Sequence, residues 1–298
     1  MPPRPALASV PALAIAVVAV SSSAPVIAYA AAPALAIAFW RNAMGVAAIG
    51  PVALLRRRGE LTALVRQREG VYSLLAGLAL AAHFALWVPS AKLTTVASAT
   101  ALVATQPVWQ GLIAVGRGRR LSAGTWLGIG LAVAGAVVTT GADVRSSAVV
   151  GDLLAVGGAI AVAVYSALGE RVRVSTSTTA YTMVCYSVCA VVLLAVCLVG
   201  RQPLAGYPAT AWLALVGLTI GPQLLGHSLL NFSLRRVAVT TVAVVVLLEV
   251  PGAALIGWIW LGQAPRPAAW PGLALMLAGL VLVTLAGRPR PETADAML

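Results

Sequence analysis

The sequence predicts an all-α membrane protein in which ten transmembrane helices form two inverted five-helix repeats around a central cavity. Three observations lead to this prediction. The chain is far more apolar than a soluble domain, it contains ten apolar segments of membrane-spanning length, and its second half matches its first half at a constant offset of 144 residues. The composition indicates the membrane, the segments give the number of crossings, and the repeat gives their arrangement.

The composition is that of a protein surrounded by lipid. Of the 298 residues, 60% are hydrophobic and 9% are charged, whereas charged residues make up about 25% of soluble domains. The formal net charge of +12 would indicate a nucleic-acid partner in a soluble protein. Here the basic residues lie in short loops between apolar segments, so we expect the lipid bilayer and no nucleic acid as the partner.

Ten segments are long enough to cross a bilayer, five in each half of the chain. A helix needs about 20 apolar residues, at ~1.5 Å per residue, to cross a hydrocarbon core of ~30 Å. The predicted spans are Ala6–Tyr29, Pro33–Leu55, Gly70–Val88, Val96–Val115, Thr125–Thr140, Val149–Leu168, Thr179–Val199, Ala209–Leu234, Val237–Leu261 and Ala268–Ala286. We expect the first segment to be retained rather than cleaved as a signal peptide, because its counterpart in the second half is an internal span.

The duplication is clearest at the rare residue types. The only two histidines, His83 and His227, fall on the offset of 144 residues, as do Pro107 and Pro251. Other pairs on the offset are Gly77 with Gly221, Ala99 with Ala243, Gly118 with Gly262, Trp126 with Trp270, Gly128 with Gly272, Gly135 with Gly279 and Thr140 with Thr284. Such coincidences are hard to obtain by chance. The expected organisation is a first repeat at 1–144, a second repeat at 145–288 and a short cytoplasmic tail at 289–298.

The number of spans in each repeat decides how the repeats are related. Five crossings are an odd number, so the second repeat enters the membrane from the opposite side. The two repeats are then related by a pseudo-two-fold axis in the membrane plane. This is the architecture of alternating-access carriers, whose substrate site lies near the midplane between the repeats. Small residues in the spans, such as Gly124 with Gly128, Gly217 with Gly221 and the stretch from Gly157 to Ala161, are expected to allow close helix packing.

The distribution of basic residues predicts the orientation. With a cytoplasmic N-terminus, one side of the membrane carries Arg4, the basic residues from Arg56 to Arg68, Arg117, Arg119, Arg120, Arg171, Arg173, Arg235, Arg236, Arg288 and Arg290. The other side carries only Lys92, Arg145, Arg201 and Arg266. Because cytoplasmic loops are enriched in Lys and Arg, both termini of this inner-membrane protein are expected in the cytoplasm.

Glu249 is the acidic residue predicted to lie deepest in the membrane. It stands about 12 residues into the ninth span, hence ~18 Å from its start and close to the bilayer centre. An acid at this depth is costly unless it is paired, hydrated or used. Glu249 can neutralise a substrate ammonium or take up a proton; alternatively, it is a structural partner for a histidine or a helix end.

The two histidines have polar or aromatic companions on the same helix face. Trp87 follows His83 by four residues and Asn231 follows His227 by four, a spacing that places both members on one face. The repeat symmetry then places both pairs beside the central axis. A histidine there can donate to a substrate carboxylate or titrate near neutral pH; alternatively, it only forms a hydrogen bond between helices.

Two prolines are expected to interrupt spans near the midplane. Pro107 and Pro251 remove a backbone N–H from the fourth and ninth spans and free carbonyl groups. Gln106 and Gln110 flank the first of these breaks. Arg41, in the outer part of the second span, is expected to extend its guanidinium outward towards the membrane surface as a structural residue.

The remaining chemistry-bearing residues predict no cofactor. Cys185, Cys189 and Cys197 all lie in the seventh span, and we expect small buried packing groups there, with no disulfide and no metal site. The sequence has no Walker motif, no ligand-spaced cysteines and no paired intramembrane acids. The chain is therefore not expected to be an ATP-driven pump or an intramembrane hydrolase.

Several of these stretches resemble one family. The run His83-Phe84-Ala85-Leu86-Trp87, the run from Thr94 to Leu102 and the run Gln106-Pro107-Val108-Trp109 are similar to the first half of an EamA-type carrier of the drug/metabolite transporter superfamily. The stretches from Leu234 to Ala238 and from Leu247 to Pro251, then Leu261-Gly262-Gln263, are their counterparts, and Phe39-Trp40-Arg41 resembles the aromatic-Arg signature of the second span. The resemblance covers essentially the whole chain and implies ten helices, inverted five-helix repeats and a central cavity.

The chain departs from the family pattern in two loops. The family usually follows the Leu-Gly of these loops with Glu, whereas this chain has Gly118-Arg119 and Gly262-Gln263. Within the superfamily, the His-Phe-Ala-Leu-Trp and Gln-Pro-Val-Trp runs are most similar to the branch that exports aromatic and other amino acids.

The predicted function is export of small metabolites, most directly amino acids, by alternating access. Glu249 would lie near the ammonium of the substrate, and His83 or His227 near its carboxylate. The walls around its side chain would be Trp87, Trp109 and Tyr165, and the full set of predicted binding residues also includes Gln106 and Asn231. The alternatives are efflux of cationic drugs or nucleoside-like metabolites and, from another class, a membrane-embedded enzyme or sensor. A monomer is sufficient to enclose such a cavity.

Overall fold

The computed structural model describes residues 9–140, 146–237, 239–264, 267 and 269–286, and they contain helices and connections without a strand. The α-helices are α1 (Ser9–Ser21), α2 (Ser23–Tyr29), α3 (Ala34–Arg56), α4 (Arg58–Leu64), α5 (Arg68–Leu93), α6 (Val96–Val103), α7 (Gln106–Gly116), α8 (Ala123–Thr140), α9 (Ser146–Val172), α10 (Thr178–Val199), α11 (Ala209–Leu218), α12 (Ser228–Ser233), α13 (Val239–Val246), α14 (Glu249–Leu261) and α15 (Ala269–Ala286). A π-helical segment, Thr219–His227, joins α11 to α12.

Within the described residues, these helices group into ten candidate crossings, in agreement with the predicted fold class. Six stretches are long and apolar enough to cross a membrane: Val10–Tyr29, Ala34–Arg56, Arg68–Leu93, Ala148–Val172, Thr178–Val199 and Ala209–Ser233. Three shorter apolar helices, Ala123–Gly135, Glu249–Leu261 and Ala269–Val283, account for three further crossings, of which the ninth also includes α13, and the short helices α6 and α7 form the fourth. Helix α4 lies in the predicted loop between the second and third spans and was not expected. The predicted tail 289–298 and Arg4, Arg145, Arg266, Arg288 and Arg290 lie outside the described residues.

The fourth and ninth spans are each divided into two short helices. Helix α6 ends at Val103 and α7 begins at Gln106; α13 ends at Val246 and α14 begins at Glu249. The two breaks fall at equivalent places of the repeat, each just before a proline. Proline lacks the N–H of a continuing helix but fits the first turn of a new one, so each break starts a new helix. The predicted interruptions are confirmed.

Two further spans deviate from a straight α-helix. The first span bends at Ser22, between α1 and α2, where the hydroxyl donates to the carbonyl oxygen of Ala19 at 2.8 Å. The eighth span passes through the π-helical segment, which contains Pro222. A π segment relieves the missing proline N–H by shifting the hydrogen-bond register, and such segments are frequent at functional sites.

The fifth and tenth spans cross in a manner that is symmetric between the repeats. A Cβ built on Gly128 would lie 2.7 Å from the carbonyl oxygen of Gly279, and one built on Gly135 would lie 2.5 Å from that of Gly272. Gly128 and Gly272 are repeat equivalents, as are Gly135 and Gly279. Each contact is therefore mirrored by its equivalent, and the helices run antiparallel, as expected for repeats related by a two-fold axis in the membrane plane.

The equivalent loops that contain Gly118 and Gly262 lie at opposite ends of the fourth span. Gly118 and Gly262 both adopt positive φ, +79° and +67°, a conformation in which glycine ends a helix without a Cβ penalty. The first loop follows the end of α7. In the second, the side-chain oxygen of Gln263 accepts a hydrogen bond from the backbone N–H of Val96, at the start of α6, at 3.3 Å.

The start of α13 has an analogous cap, supplied by a different residue. The carboxylate of Glu170 accepts from the backbone N–H of Val239 at 3.3 Å and from Arg119 at 3.4 Å. Gln263 caps one helix with its own amide, and Glu170 at the end of α9 caps the other while it pairs with Arg119.

The expected role of the small residues is only partly confirmed. Gly157 and Gly158 face Leu86 and Trp87 across the contact between α9 and α5, and Gly128 packs as described. The expectation for Gly217 and Gly221 is wrong: a Cβ on Gly217 would meet no atom within 4 Å, and one on Gly221 would meet only the hydroxyl of Ser22 at 3.8 Å. Both glycines lie in the deviating eighth span, whose helical face differs from that of a regular helix.

Candidate functional site

A cavity lies between the two repeats at the level of the helix breaks. The volume open to the centres of water molecules within it is about 60 Å³, enough for a few ordered waters. Seven of the eight predicted binding residues line it: His83, Trp87, Gln106, Tyr165, His227, Asn231 and Glu249. The spans that supply them come from both repeats, so the cavity exists only where the repeats meet.

The histidines of the two repeats face each other across the cavity wall. Their ring centroids are 6.3 Å apart, and the ring of His83 stacks on that of Trp87 at 5.8 Å and 8°. Nδ1 of His83 lies 2.9 Å from the carbonyl oxygen of Gly158. Because a carbonyl only accepts, Nδ1 carries the hydrogen, and in the neutral imidazole Nε2 is then an acceptor.

Polar side chains on the opposite wall are held by short contacts. The side-chain amide of Asn231 donates to the hydroxyl of Tyr165, whose ring stacks on Tyr181 at 6.1 Å. The side-chain amide of Gln106 donates to the hydroxyl of Ser166 at 3.2 Å. These contacts link the cavity walls of the two repeats through the sixth span.

Glu249 is the first residue of α14 and is 8% exposed. Among the described residues it is the one carboxylate that lines the cavity. The N-terminus of a helix favours a negative charge. The basic group whose charge acts on it is Arg41, from the second span, so the basic residue that the sequence did not reveal comes from the other repeat.

The expectation that Arg41 extends outward is wrong. Its side chain is 0% exposed, and its guanidinium lies 4.3 Å from the ring centroid of Phe84. Nε donates to the side-chain oxygen of Gln223 at 3.0 Å, and one terminal nitrogen donates to Ser23 at 3.3 Å. The arginine turns inward because these polar groups, together with an aromatic face, replace water around its charge.

Two stretches of the chain, 7–141 and 149–285, each match the EamA-like transporter family, one in each half. The chain belongs to the EamA-like transporter family. The resemblance noted in the sequence is thereby confirmed, and the EamA-like protein is a multi-pass membrane transporter of small molecules.

The EamA-like protein is also similar to a protein of known crystal structure. The two share 24% identity with a TM-score of 0.71, over 93% of this chain and 96% of the other. At this identity the likeness supports the fold alone. No curated protein matches the sequence.

Not every predicted residue of the EamA-like protein reaches the cavity. Trp109 does not line it and instead directs its indole N–H to Thr105 at 3.4 Å. Gln110 donates to the carbonyl oxygen of Ala163 at 2.8 Å. Pro107 and Pro251 do not line it either, but lie in the first turns of α7 and α14. The prolines therefore determine where the cavity-facing helices begin.

Some residues around the site were absent from the sequence-based set. Gln223 accepts from Arg41 and donates to the side-chain oxygen of Asn42 at 2.9 Å, and its backbone oxygen accepts from Tyr186 at 3.1 Å. Gln223 follows Pro222 inside a span, which repeats the polar-proline pairing of Gln106 and Pro107 in reverse order. This pairing of a glutamine with a proline inside a span was the feature of the sequence that could have identified Gln223.

Replacing Arg41 should destabilise the EamA-like protein. Arg41→Met keeps much of the apolar stem but leaves the buried side chain of Gln223 without its charged donor, at a cost of about 2 kcal/mol. We expect a lower midpoint of thermal unfolding in detergent. Arg201→Met is the control, because Arg201 lies exposed between α10 and α11; equal losses in both variants would contradict the buried network.

Proposed function

We propose that this transporter exports small zwitterionic metabolites, most directly amino acids, by alternating access between the two repeats. The observation that carries the proposal is the cavity itself, in which Glu249, His83, His227 and aromatic walls surround a shared space. Glu249 pairs with the ammonium of the substrate. His227 and Asn231 donate to its carboxylate, and Trp87 and Tyr165 enclose its side chain.

The position of the site supports alternating access. The cavity lies where both repeats contribute broken helices, the arrangement in which rocking of one repeat against the other exposes the site alternately to the two sides of the membrane.

The proposed orientation in the inner membrane has both termini on the cytoplasmic side. Labelling of single cysteines introduced at Arg57 and at Arg201 tests it, since only the second is expected to react with an impermeant reagent from outside intact cells.

Efflux of lipophilic cations is the second candidate function. It is favoured by the single carboxylate among the described cavity residues and by the neighbouring aromatic rings, which attract cations. A neutral or cationic drug without a carboxylate would not need the histidines. This difference separates the two candidates.

Flux measurements in proteoliposomes test the proposal directly. Vesicles that contain the purified transporter are loaded with labelled threonine, labelled phenylalanine or a lipophilic cation, and efflux is followed. Efflux of amino acids that the unlabelled amino acids inhibit, but the cation does not, supports export of amino acids. Efflux of the cation alone supports the second candidate, and no flux of any compound favours an embedded enzyme or sensor.

The two tryptophans of the first repeat provide a matched test of the cavity. Trp87→Leu removes a wall residue, whereas Trp109→Leu changes a residue outside the lining. We expect the first variant to raise the KM for phenylalanine efflux about tenfold, because an aromatic contact of ~1.4 kcal/mol is lost. The second variant should change KM less than twofold. The opposite ranking would place the binding site elsewhere.

A further inference from the structure

A second, separate pocket lies at one end of the bundle and is lined mainly by arginine. We call it the arginine pocket: Arg117, Arg119, Arg171, Arg235, Arg236 and Glu170. Its volume is about 490 Å³, and it is open to the surface. These residues come from three segments far apart in the chain: the loop after α7, the end of α9 and the loop after α12. Folding brings them to one concave surface.

The arginines of this pocket are mostly held by neutral groups. Arg117 donates to the carbonyl oxygen of Ala167 at 3.2 Å. The guanidinium of Arg171 lies 4.4 Å from the ring centroid of Tyr72, and that of Arg236 lies 5.9 Å from the ring centroid of Phe232. These contacts orient the charges without neutralising them.

One internal carboxylate meets this excess of positive charge. Glu170 lies 3.4 Å from Arg119, whose side chain is 58% exposed, and it also caps α13. The crowding of positive charge extends to the rim. Arg173, just beyond the end of α9, has its pKa lowered to about 10, first by burial and then by the nearby guanidinium of Arg235.

The general enrichment of arginine in cytoplasmic loops does not account for this arrangement. Arg56 and Arg58 follow the same enrichment, yet they are exposed and lie outside the pocket. Loops that only obey a charge bias need not converge. Here five guanidinium groups from three segments line one space, and each has five N–H donors.

We propose that the arginine pocket is a binding site for a phosphate group, carried either by an anionic lipid headgroup or by a soluble phosphate compound. A phosphate has several strong acceptor oxygens and carries one or two negative charges. It matches the planar fork of arginine in two-pronged geometry. Glu170 balances only one of the five arginine charges. A ligand with a single carboxylate would balance only one more, whereas a phosphate can balance up to two. The apolar lining by Val174, Leu234 and Val237 fits the start of an acyl chain beside the headgroup.

The phosphate site is distinct from the central cavity but adjacent to it. Leu234 lines both and packs with Leu13, Val239 and Val242 between them. The proposal does not depend on which substrate the transporter carries, since none of the five arginines lines the central cavity. Failure of the amino-acid efflux experiments would not contradict phosphate binding at the arginine pocket. Failure of the phosphate-binding experiments would likewise not contradict amino-acid export.

Binding is tested with the purified full-length transporter in phosphatidylcholine nanodiscs. In one arm phosphatidylglycerol is titrated into the lipid; in the other, inorganic phosphate is added at constant ionic strength. The readout in both arms is the rise of the unfolding midpoint. We expect the double variant R235Q/R236Q to need about thirtyfold more ligand, at roughly fivefold for each arginine near an anionic group.

Two matched variants make the result specific. R56Q/R58Q removes the same charge from the same end of the bundle and should titrate like the wild type. Glu170→Gln removes the internal competitor while its amide oxygen still accepts from Val239, so it should need less ligand than the wild type. A response to phosphatidylglycerol alone identifies a lipid site, and a response to inorganic phosphate identifies a soluble ligand. If neither arm stabilises the wild type, or if both double variants lose the response equally, the site does not exist.

Discussion

Gly135→Ala is expected to destabilise the transporter by about 3 kcal/mol, at the upper end of the cost of overpacking. A Cβ at this position would lie 2.5 Å from the carbonyl oxygen of Gly272 and 2.6 Å from the backbone nitrogen of Met276. Both are backbone atoms of α15, so no side-chain rotation relieves the clash. The two helices have to separate, and the mirrored contact between Gly128 and Gly279 is weakened at the same time.

The same helix offers the control for this substitution. A Cβ on Gly130 would meet no atom within 4 Å, and Gly130→Ala should leave stability unchanged or raise it by up to about 1 kcal/mol, because alanine is the better helix former. Thermal unfolding of both variants in detergent, beside the wild type, measures the difference. Equal midpoints for Gly135→Ala and Gly130→Ala would show that α8 and α15 do not pack through these glycines, and would remove the clearest symmetric contact between the repeats.

The repeat predicted more of this fold than hydrophobicity did. An offset read from His83, Pro107 and their partners correctly places the equivalent helix breaks, and an odd number of spans correctly implies antiparallel pairing of equivalent helices. These inferences depend on counting and symmetry. They do not require knowing which way any side chain points.

Side-chain direction is what the sequence could not supply. In a soluble helix the apolar stripe marks the inner face, but lipid is as apolar as a protein core, so this contrast is lost in a membrane span. Gln106 and Trp109 illustrate the loss: both were predicted to line the binding site beside Pro107, yet only Gln106 reaches the cavity. The side-chain direction of Arg41 was predicted wrongly for the same reason. The sequence gives its position along the second span, but it does not show that Phe84 and Gln223 contact it from the inside.

Polar residues therefore carry most of the recoverable information about the site. Seven of the eight predicted binding residues line the cavity, since a polar group inside a span is costly unless it faces a partner or water. The apolar lining by Val20, Val103 and Val162 has no comparable signal, because valine is equally acceptable to lipid. Polar and apolar lining residues will both select the substrate, and only a structure shows which apolar residues line the cavity.

Glu249→Gln is expected to lower amino-acid efflux by about 100-fold, because a buried charge pair that loses one partner costs roughly 2–5 kcal/mol. Glutamine keeps the size of the side chain but can neither balance a substrate ammonium nor take up a proton. The substitution also removes the negative charge that acts on the guanidinium of Arg41. Glu69→Gln is the matched control, since Glu69 lies in the first turn of α5, outside the cavity lining.

The same pair of variants shows whether Glu249 couples transport to protons. The groups around it that also titrate are His83 and His227 in the cavity wall, with Arg41 behind Phe84. If Glu249 carries the proton, an imposed pH gradient should accelerate efflux by the wild type and by Glu69→Gln, while residual efflux by Glu249→Gln should not respond. A response that survives in Glu249→Gln would assign the proton to the histidines, and flux that ignores the gradient in all three proteins would rule out coupling. Efflux by Glu249→Gln at the wild-type rate would remove this carboxylate from the substrate site altogether, because no other described acid lines the cavity to replace it.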